Sequence, residues 1–274
     1  MIELRGVTKL FGAKRAVDQL DLRVRDGELF AFLGPNGAGK TTTIKMVCGL
    51  LAPTAGTVRV GGHPATSQEA RQLLAYVPDQ PYLYEKLTGR EFLRFVVEMY
   101  GIDRRLAALR IAELIETFEL ADFIDELCEN YSQGMKQRVV FASALVHDPK
   151  VLVVDEPLVG LDPRSARIVK DIFVAQARAG VAVLMSTHLL SIAEELADTI
   201  GIVDHGRMLA QGSLADLREK LQSEGPLEEL FLLATGGTRS HANGKPATPV
   251  IGAATWPVAH VVTPGEGGAH EPLA

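Results

Sequence analysis

The chain is 274 residues long, and 28 lysine and arginine residues against 34 aspartate and glutamate residues give it a net charge of −6. Hydrophobic residues make up 47% and charged residues 23%, which argues against both wholesale disorder and a bundle of membrane-spanning helices. The acidic balance argues against a nucleic-acid partner, because neutralising phosphates requires a basic surface. The two cysteines, Cys48 and Cys128, have no metal-binding or redox spacing and indicate a reduced, cytosolic setting.

The pattern of apolar residues predicts several strands before and after a helical region. Residues 20–25 alternate between apolar and charged side chains, as in a half-buried strand, and residues 26–27 are an Asp-Gly turn signal. Residues 29–33, 151–154 and 181–185 are uninterrupted apolar runs, which are typical of strands covered on both faces. The sequence therefore predicts an α/β core.

Two other regions differ from this strand pattern. From residue 88 to 130 apolar residues recur every three or four positions, which predicts a mainly helical region. Residues 236–274 contain seven glycines and five prolines with little apolar periodicity, so we predict a disordered tail. A docking segment is the alternative for the tail, because it carries several apolar residues and the only tryptophan, Trp256.

A glycine-rich loop follows the predicted strand at 29–33 and matches the motif G-x-x-x-x-G-K-[ST]. Glycines let the backbone wrap around a polyphosphate with its N–H groups pointing inward, and the positive end of the following helix adds attraction. Lys40 would bind the β and γ phosphates, and Thr41 would supply a hydroxyl ligand to Mg²⁺. The loop predicts a nucleotide site formed by Gly34, Pro35, Asn36, Gly37, Ala38, Gly39, Lys40, Thr41 and Thr42.

Two further strand ends carry residues suited to catalysis. Ligands of α/β sheets bind at the carboxyl ends of strands, so Asp155 and Glu156, after the run 151–154, are expected beside the phosphate loop. Asp155 would hold Mg²⁺ directly or through water, and Glu156 would orient or deprotonate the attacking water. His188 follows the run 181–185, where it would sense the γ phosphate.

Over about residues 2–235 these motifs resemble one family closely, the ATP-binding subunits of ABC transporters. Residues 131–138, YSQGMKQR, are similar to the family's signature motif, and residues 160–163, GLDP, are similar to its D-loop. Phe11 matches the aromatic residue on which adenine stacks, and His188 matches the switch histidine. The residues of these motifs are most similar to those in the ATPases of ABC-2-type exporters.

The resemblance implies a fold and a domain organisation. The fold would be α/β, with a P-loop NTPase core, an N-terminal antiparallel β subdomain and an inserted helical subdomain. One ATP-binding domain would cover residues 1–235. Its helical insertion would lie at about residues 88–145, and a short terminal helix at about residues 226–235.

The resemblance also implies an assembly. Two chains, as a homodimer or with a paralogous ATPase subunit, would bind head to tail around two ATP molecules. Ser132 and Gly134 of one chain would cap the γ phosphate held by the other, and Gln133 and Asp162 belong to the same nucleotide-binding set. The dimer would hydrolyse ATP and drive a separate integral-membrane permease, which places the chain in the cytoplasm on the inner face of the membrane.

Other functions explain fewer of these residues. A P-loop GTPase or small-molecule kinase would leave Phe11 and residues 131–138 unexplained, and the sequence has no Asn-Lys-x-Asp guanine reader. A soluble ABC-type ATPase or a regulatory nucleotide-binding module, not coupled to transport, is the alternative to a transport motor. The simultaneous presence of Glu156 and His188 argues against a module that does not hydrolyse ATP.

Two sites, the signature segment and the residues after Pro78, depart from the family pattern. In the signature, Gln133 replaces the first glycine and Met135 the usual glutamine, but the backbone donors remain, so we expect ATP still to close the dimer. After residues 76–78 the family has a glutamine that contacts Mg²⁺, whereas here Asp79 has that position and Gln80 follows. Either Asp79 is the oxygen ligand or the backbone shifts to present Gln80, and we favour Asp79.

Overall fold

The computed structural model describes residues 1–236, in which strands and helices alternate along two sheets. The strands are β1 (Ile2–Phe11), β2 (Lys14–Val24), β3 (Leu29–Leu33), β4 (Ala55–Val60), β5 (His63–Pro64), β6 (Leu74–Val77), β7 (Val151–Asp155), β8 (Ala182–Thr187), β9 (Thr199–Asp204) and β10 (Arg207–Gly212). The helices are α1 (Lys40–Val47), α2 (Gln68–Leu73), α3 (Gly89–Met99), α4 (Arg104–Thr117), α5 (Gln133–Leu145), α6 (Pro163–Arg178), α7 (Leu190–Leu196), α8 (Leu214–Leu221) and α9 (Leu227–Ala234), with a 3₁₀ turn at Cys128–Asn130.

The first sheet is antiparallel and has the strand order β2-β1-β4-β5. In β2 the side chains of Leu20, Leu22 and Val24 are buried, and the charged residues between them are exposed. This alternation confirms the predicted half-buried strand, since one face of the sheet packs on the core and the other meets solvent.

The second sheet has the order β10-β9-β3-β8-β7-β6, in which β10 is antiparallel to β9 and the other neighbours are parallel. Its central strand β3 is buried on both faces. Leu29, Ala31 and Leu33 belong to one hydrophobic core, whereas Phe30 and Phe32 belong to the other. The uninterrupted apolar run at 29–33 is therefore a strand covered on both sides, as predicted.

Helices dominate residues 88–130, as their apolar period predicts. Helix α3 begins with a capping box, because the Thr88 hydroxyl accepts from the Glu91 N–H and the Glu91 carboxylate accepts from the Thr88 N–H. Its Phe92, Leu93 and Val97 side chains are buried. Between residues 88 and 145 the structure has α3, α4 and α5, and α9 lies within residues 226–235.

The two sheets and their helices confirm the expected α/β class, with an antiparallel sheet joined to a P-loop core. The apolar run predicted at 181–185 forms β8 one residue later, at Ala182–Thr187. None of the helices within residues 1–236 is long and apolar enough to cross a bilayer. Apart from Gly236, the predicted disordered tail and its alternative docking role lie outside the described residues.

An imidazole packs between the helical region and the second sheet. His147 follows α5, and its ring stacks on that of Tyr100 with the centroids 3.9 Å apart and the planes 7° from parallel. Burial lowers the pKa of His147 to about 4. The unfolded chain therefore binds a proton at this residue near pH 6.5, whereas the folded chain does not.

Stability should consequently fall as the pH drops from about 6.5 towards 4. His147→Phe keeps an aromatic ring at this position. Between pH 7.5 and pH 5 we expect the unfolding free energy of this variant to fall by about 1–2 kcal/mol less than that of the wild type. Urea unfolding at both pH values measures this difference. The control is His63→Gln at an exposed histidine, and equal losses in wild type and His147→Phe would contradict the prediction.

Candidate active site

The phosphate loop connects β3 to α1, and its shape requires glycine. Gly37 and Gly39 have φ values of +85° and +101°, in the region that L-residues with a side chain rarely adopt. A Cβ atom on Gly39 would lie 2.5 Å from the carbonyl oxygen of Ala16. Because α1 begins directly after the loop, its unpaired N–H groups and positive dipole end face the same space.

The Lys40 side chain lies inside this loop and is only 7% exposed. Its Nζ donates to the Gly34 carbonyl oxygen at 2.7 Å and lies 3.6 Å from Oε1 of Glu156. A buried ammonium group needs negatively charged or polar partners to offset its lost hydration. The loop therefore holds a positive charge ready for an anionic ligand.

The carboxylate of Asp155 ends strand β7 and is almost fully buried. The Ser186 hydroxyl donates to its Oδ1 across the β7–β8 ladder, where Asp155 and Ser186 pair. Burial raises the pKa of Asp155, and the charges of Asp79 and Glu156 act in the same direction, while hydrogen bonds from Ser186 and Thr41 oppose the rise. A cation at this position would favour the ionised carboxylate.

Glu156 follows Asp155 and has an unusual backbone conformation, with φ +49°. Its Oε2 lies 2.9 Å from Nδ1 of His188, and the His188 backbone N–H donates to the same oxygen at 3.3 Å. The carboxylate thus lies between the imidazole and the ammonium of Lys40. This arrangement suits a general base whose orientation is fixed by two neighbours.

Asp79 and Gln80 follow β6, and both are exposed. The negative charge of Asp79 raises the pKa values of both Asp155 and Tyr76, which means that its carboxylate is close enough to act on the Asp155 site. Gln80 carries no charge that could act on Asp155 in this way, so the preference for Asp79 over Gln80 stays a prediction.

The residues of the signature segment, 131–138, surround the N-terminus of α5. Ser132 is the N-cap, and its hydroxyl accepts from the Met135 N–H at 3.3 Å. Gly134 is buried beside the start of α6, where a Cβ would lie 2.9 Å from both Oδ2 of Asp162 and Oγ of Ser165. Asp162 caps α6, and its hydrogen bonds with Ser165 and Arg164 lower its pKa.

The predicted site residues form two groups within one chain. The structure brings the phosphate loop, Asp155, Glu156 and His188 together, with Asp79 beside them. In the described part of the chain, no hydrogen bond or ion pair joins that group to Ser132, Gln133 or Gly134. Phe11 ends β1 and is half exposed, and the ammonium of Lys9 lies 5.3 Å from its ring centroid.

Two residues of the site were not assigned a role from the sequence. Ser186 follows the apolar run at 181–185, which gave it no role of its own. Its contact with Asp155 depends on β7 and β8 being neighbours. Gln137 is a buried residue of α5 whose amide donates to the Pro157 carbonyl oxygen at 3.4 Å. A glutamine at a helical position that faces the core was the available signal, because a buried amide requires a partner.

The oxygen donors of this site fit Mg²⁺. No group of three or more His, Cys, Asp or Glu side chains within residues 1–236 forms a metal site on its own. Mg²⁺ is usually held by one or two carboxylates together with substrate phosphates and water. The Asp155 carboxylate, the Thr41 hydroxyl and the nearby Asp79 match that requirement.

Known proteins are similar to this chain in sequence and fold. The family model described as ABC transporter matches residues 17–159. The daunorubicin/doxorubicin resistance ATP-binding protein DrrA of Streptomyces peucetius is 43% identical over 224 residues, which cover 81% of this chain and 68% of that protein. The linearmycin resistance ATP-binding protein LnrL of Bacillus subtilis (strain 168) is 35% identical over 243 residues, 85% of this chain and 78% of that protein. A solved structure of an ATP binding subunit of an ABC transporter has a TM-score of 0.81 and 32% identity, and the match covers 86% of this chain and 99% of that one.

The contact of Ser186 with Asp155 generates a prediction. Ser186→Ala removes a hydrogen bond to the ionised carboxylate, so we expect the Mg²⁺ concentration that gives half-maximal ATP turnover to rise about three- to tenfold. Titrating Mg²⁺ at saturating ATP measures this concentration. Ser213→Ala, which removes the N-cap hydroxyl of α8, is the control and should leave the Mg²⁺ dependence unchanged. An unchanged Mg²⁺ dependence in Ser186→Ala would refute this role of Ser186.

Proposed function

This chain belongs to the ABC transporter family, as a subunit that binds and hydrolyses ATP, and we propose that it powers export through a separate integral-membrane permease. The observation that carries the proposal is the carboxylate of Glu156 between the buried Lys40 ammonium, at 3.6 Å, and the His188 imidazole, at 2.9 Å. The Lys40 ammonium can bind phosphate and Glu156 can act as an oriented base. Both groups are required for phosphoanhydride hydrolysis, and they lie at one edge of the sheet.

ATP binds with its phosphates in the loop of residues 34–42. The loop N–H groups and the N-terminus of α1 stabilise the phosphate charge, and Lys40 exchanges part of its contact with Glu156 for the β and γ phosphates. Phe11 provides an exposed ring on which the adenine stacks. Thr41 and Asp155, with Asp79 as a further oxygen donor, would hold Mg²⁺, which would neutralise charge on the phosphates.

Glu156 acts as the general base of hydrolysis. Its carboxylate orients a water molecule towards the γ phosphate and accepts a proton from it. The hydrogen bonds from His188 fix the direction of that carboxylate, and His188 is exposed enough to meet the γ phosphate as well. Loss of the γ phosphate removes the charge that these groups bind.

A second ATPase chain, identical or paralogous, completes each site. Ser132 and Gly134 stand at the N-terminus of α5, whose N–H groups would face the γ phosphate across the interface. Gln133 and Asp162 would lie at the same interface between the two chains. Backbone donors are present at Gln133 despite its side chain, so ATP closes a head-to-tail dimer and hydrolysis releases it.

The permease docks on an aromatic surface next to Asp79. Tyr82 and Tyr84 are exposed, their ring centroids are 5.8 Å apart, and Tyr84 contacts the partly exposed Phe95 at 5.5 Å. Exposed apolar clusters of this kind mark protein interaction sites. Because Tyr82 follows Asp79 closely in the chain, docking there would couple nucleotide state to a membrane partner. It would also hold this chain at the inner face of the membrane.

Export is the direction that relatives favour. Two of the relatives are named for resistance to daunorubicin and doxorubicin and to linearmycin, and export of a toxic compound is one way in which a transporter would confer resistance. The permease would select the cargo of this chain.

Glu156→Gln tests the ATPase mechanism. The variant removes the base but keeps Lys40, Thr41 and Asp155, so we expect ATP hydrolysis to fall at least about a hundredfold while ATP binding persists and a dimer accumulates in Mg-ATP. Phosphate release and light scattering measure the two effects. Glu98→Gln, at an exposed acid of α3, is the control. Wild-type hydrolysis by Glu156→Gln would refute the assigned base, and a persistent monomer would refute the dimer.

Substitution of Asp79 and Gln80, the two residues after Pro78, gives a second and independent test of the metal site. We expect Asp79→Ala to raise the Mg²⁺ concentration for half-maximal turnover several-fold, because it removes an acidic oxygen donor whose charge acts on Asp155. Gln80→Ala should change it less than twofold. Mg²⁺ titrations of both variants decide between the residues. If Gln80→Ala raised the Mg²⁺ concentration for half-maximal turnover and Asp79→Ala did not, the role would belong to Gln80.

A further inference from the structure

The backbone turn at Glu156 must be held in place by contacts with the residues around it. A residue with a side chain is uncommon at φ +49°, and such conformations persist where the surrounding structure holds them. One tie is the Glu156 N–H, which donates to the Ser186 carbonyl oxygen at 3.1 Å. On the other side of the turn, the Val159 N–H reaches the Glu156 carbonyl oxygen at 3.4 Å. Pro157, the next residue, has no N–H group and can be held only through its carbonyl oxygen and its ring.

Gln137 supplies a contact to that carbonyl oxygen. Its side chain is 2% exposed, and its Nε2 donates to the Pro157 carbonyl oxygen at 3.4 Å. An amide buried this deeply is costly unless it is hydrogen-bonded. Its place on α5 is one turn after Ser132, so it joins the helix of the signature segment to the residue that follows the general base.

The same helix also contacts the far end of the loop. Gly134 packs against Asp162 and Ser165 so closely that a Cβ would meet both side chains at 2.9 Å. The Ser165 hydroxyl in turn donates to Asp162 at 2.6 Å. Helix α5 thus contacts residues at both ends of the segment that leads from Glu156 to α6, and a displacement of α5 would move that segment.

We propose that Gln137 is a positioning residue for hydrolysis, which holds the Pro157 carbonyl and thereby fixes the turn that aims the Glu156 carboxylate. The inference rests on the proposed function, because it assumes that Glu156 is the base. It makes the orientation of the base in one site depend on the helix whose N-terminus would cap the ATP of the other site.

The test compares two variants that remove the contact in different ways. Gln137→Met keeps the volume but lacks the donor, and Gln137→Asn keeps an amide that is one methylene too short to reach Pro157. We expect both to lower kcat about tenfold, because small misplacements of a catalytic group are costly. KM and the dissociation constant for a fluorescent ATP analogue should stay within twofold, and the melting temperature within about 5 °C.

Ser143→Ala is the matched control. Ser143 is also a buried polar residue of α5, but its hydroxyl donates to the Val140 carbonyl oxygen of its own helix, so this variant should keep the wild-type kcat. Unchanged kcat in both Gln137 variants would overturn the inference, as would a kcat loss that Ser143→Ala shares or that accompanies a parallel loss of ATP binding and melting temperature. If neither wild type nor variants hydrolyse ATP, the proposed function itself fails, which is a different result.

In the Glu156→Gln background a second measurement separates positioning of the base from disruption of the dimer interface. Gln137→Met added to Glu156→Gln should still form the ATP-bound dimer, because the helix N-terminus at Ser132 is intact. Loss of the dimer in this double variant would show that Gln137 acts on the interface and would overturn its assignment to the base.

Discussion

The register of three neighbouring parallel strands determines the positions of the phosphate loop, Glu156 and His188. Strands β3, β8 and β7 lie side by side, with Leu33 paired to Thr187 and Ser186 paired to Asp155. Their carboxyl ends therefore lie in one row, from which the phosphate loop, His188 and Glu156 all emerge. A shift of one residue in any of these pairings would turn the side chains to the opposite face of the sheet, and the contacts of Glu156 with Lys40 and His188 would be lost.

Charge explains why such a site needs both a ligand and a cation. The ammonium of Lys40 is buried next to Glu156, while Asp155 is buried with a raised pKa and feels the charge of Asp79. Three carboxyl groups thus lie close enough to act on one another, and one of them, Glu156, contacts Lys40. A triphosphate would add further negative charge. Only a strongly charged cation between the acids and the phosphates makes that combination favourable. The proposed magnesium position follows from this balance as well as from the oxygen donors.

The parts of the fold that depend on local sequence were predictable. Alternation in β2, the buried run of β3 and the glycine loop before α1 are signals carried by adjacent residues, and the structure confirms each of them. The convergence of Asp155, Glu156 and His188 on the phosphate loop also followed from a general property of α/β sheets. Contacts between distant residues were not predictable. Ser186 meets Asp155 only because β8 lies beside β7, and the sequence contains no direct record of strand order. Gln137 and Pro157 are 20 residues apart and meet across a helix and a loop.

The separation of the two groups of site residues has a consequence for the assembly. Within residues 1–236 of one chain, Gly134 packs against the start of α6 and Ser132 caps α5, and neither is hydrogen-bonded to the phosphate loop. Each chain therefore carries one set of groups that surrounds its own phosphates and another that is directed elsewhere. In a dimer with a two-fold axis, the second set of each chain can complete the first set of the other, and both sites close in a single step. Helix α5 would then belong to both sites at once, because its first turn would face the partner while Gln137 contacts the loop after Glu156. Through this helix, a chain would adjust its own base in response to the nucleotide that its partner holds.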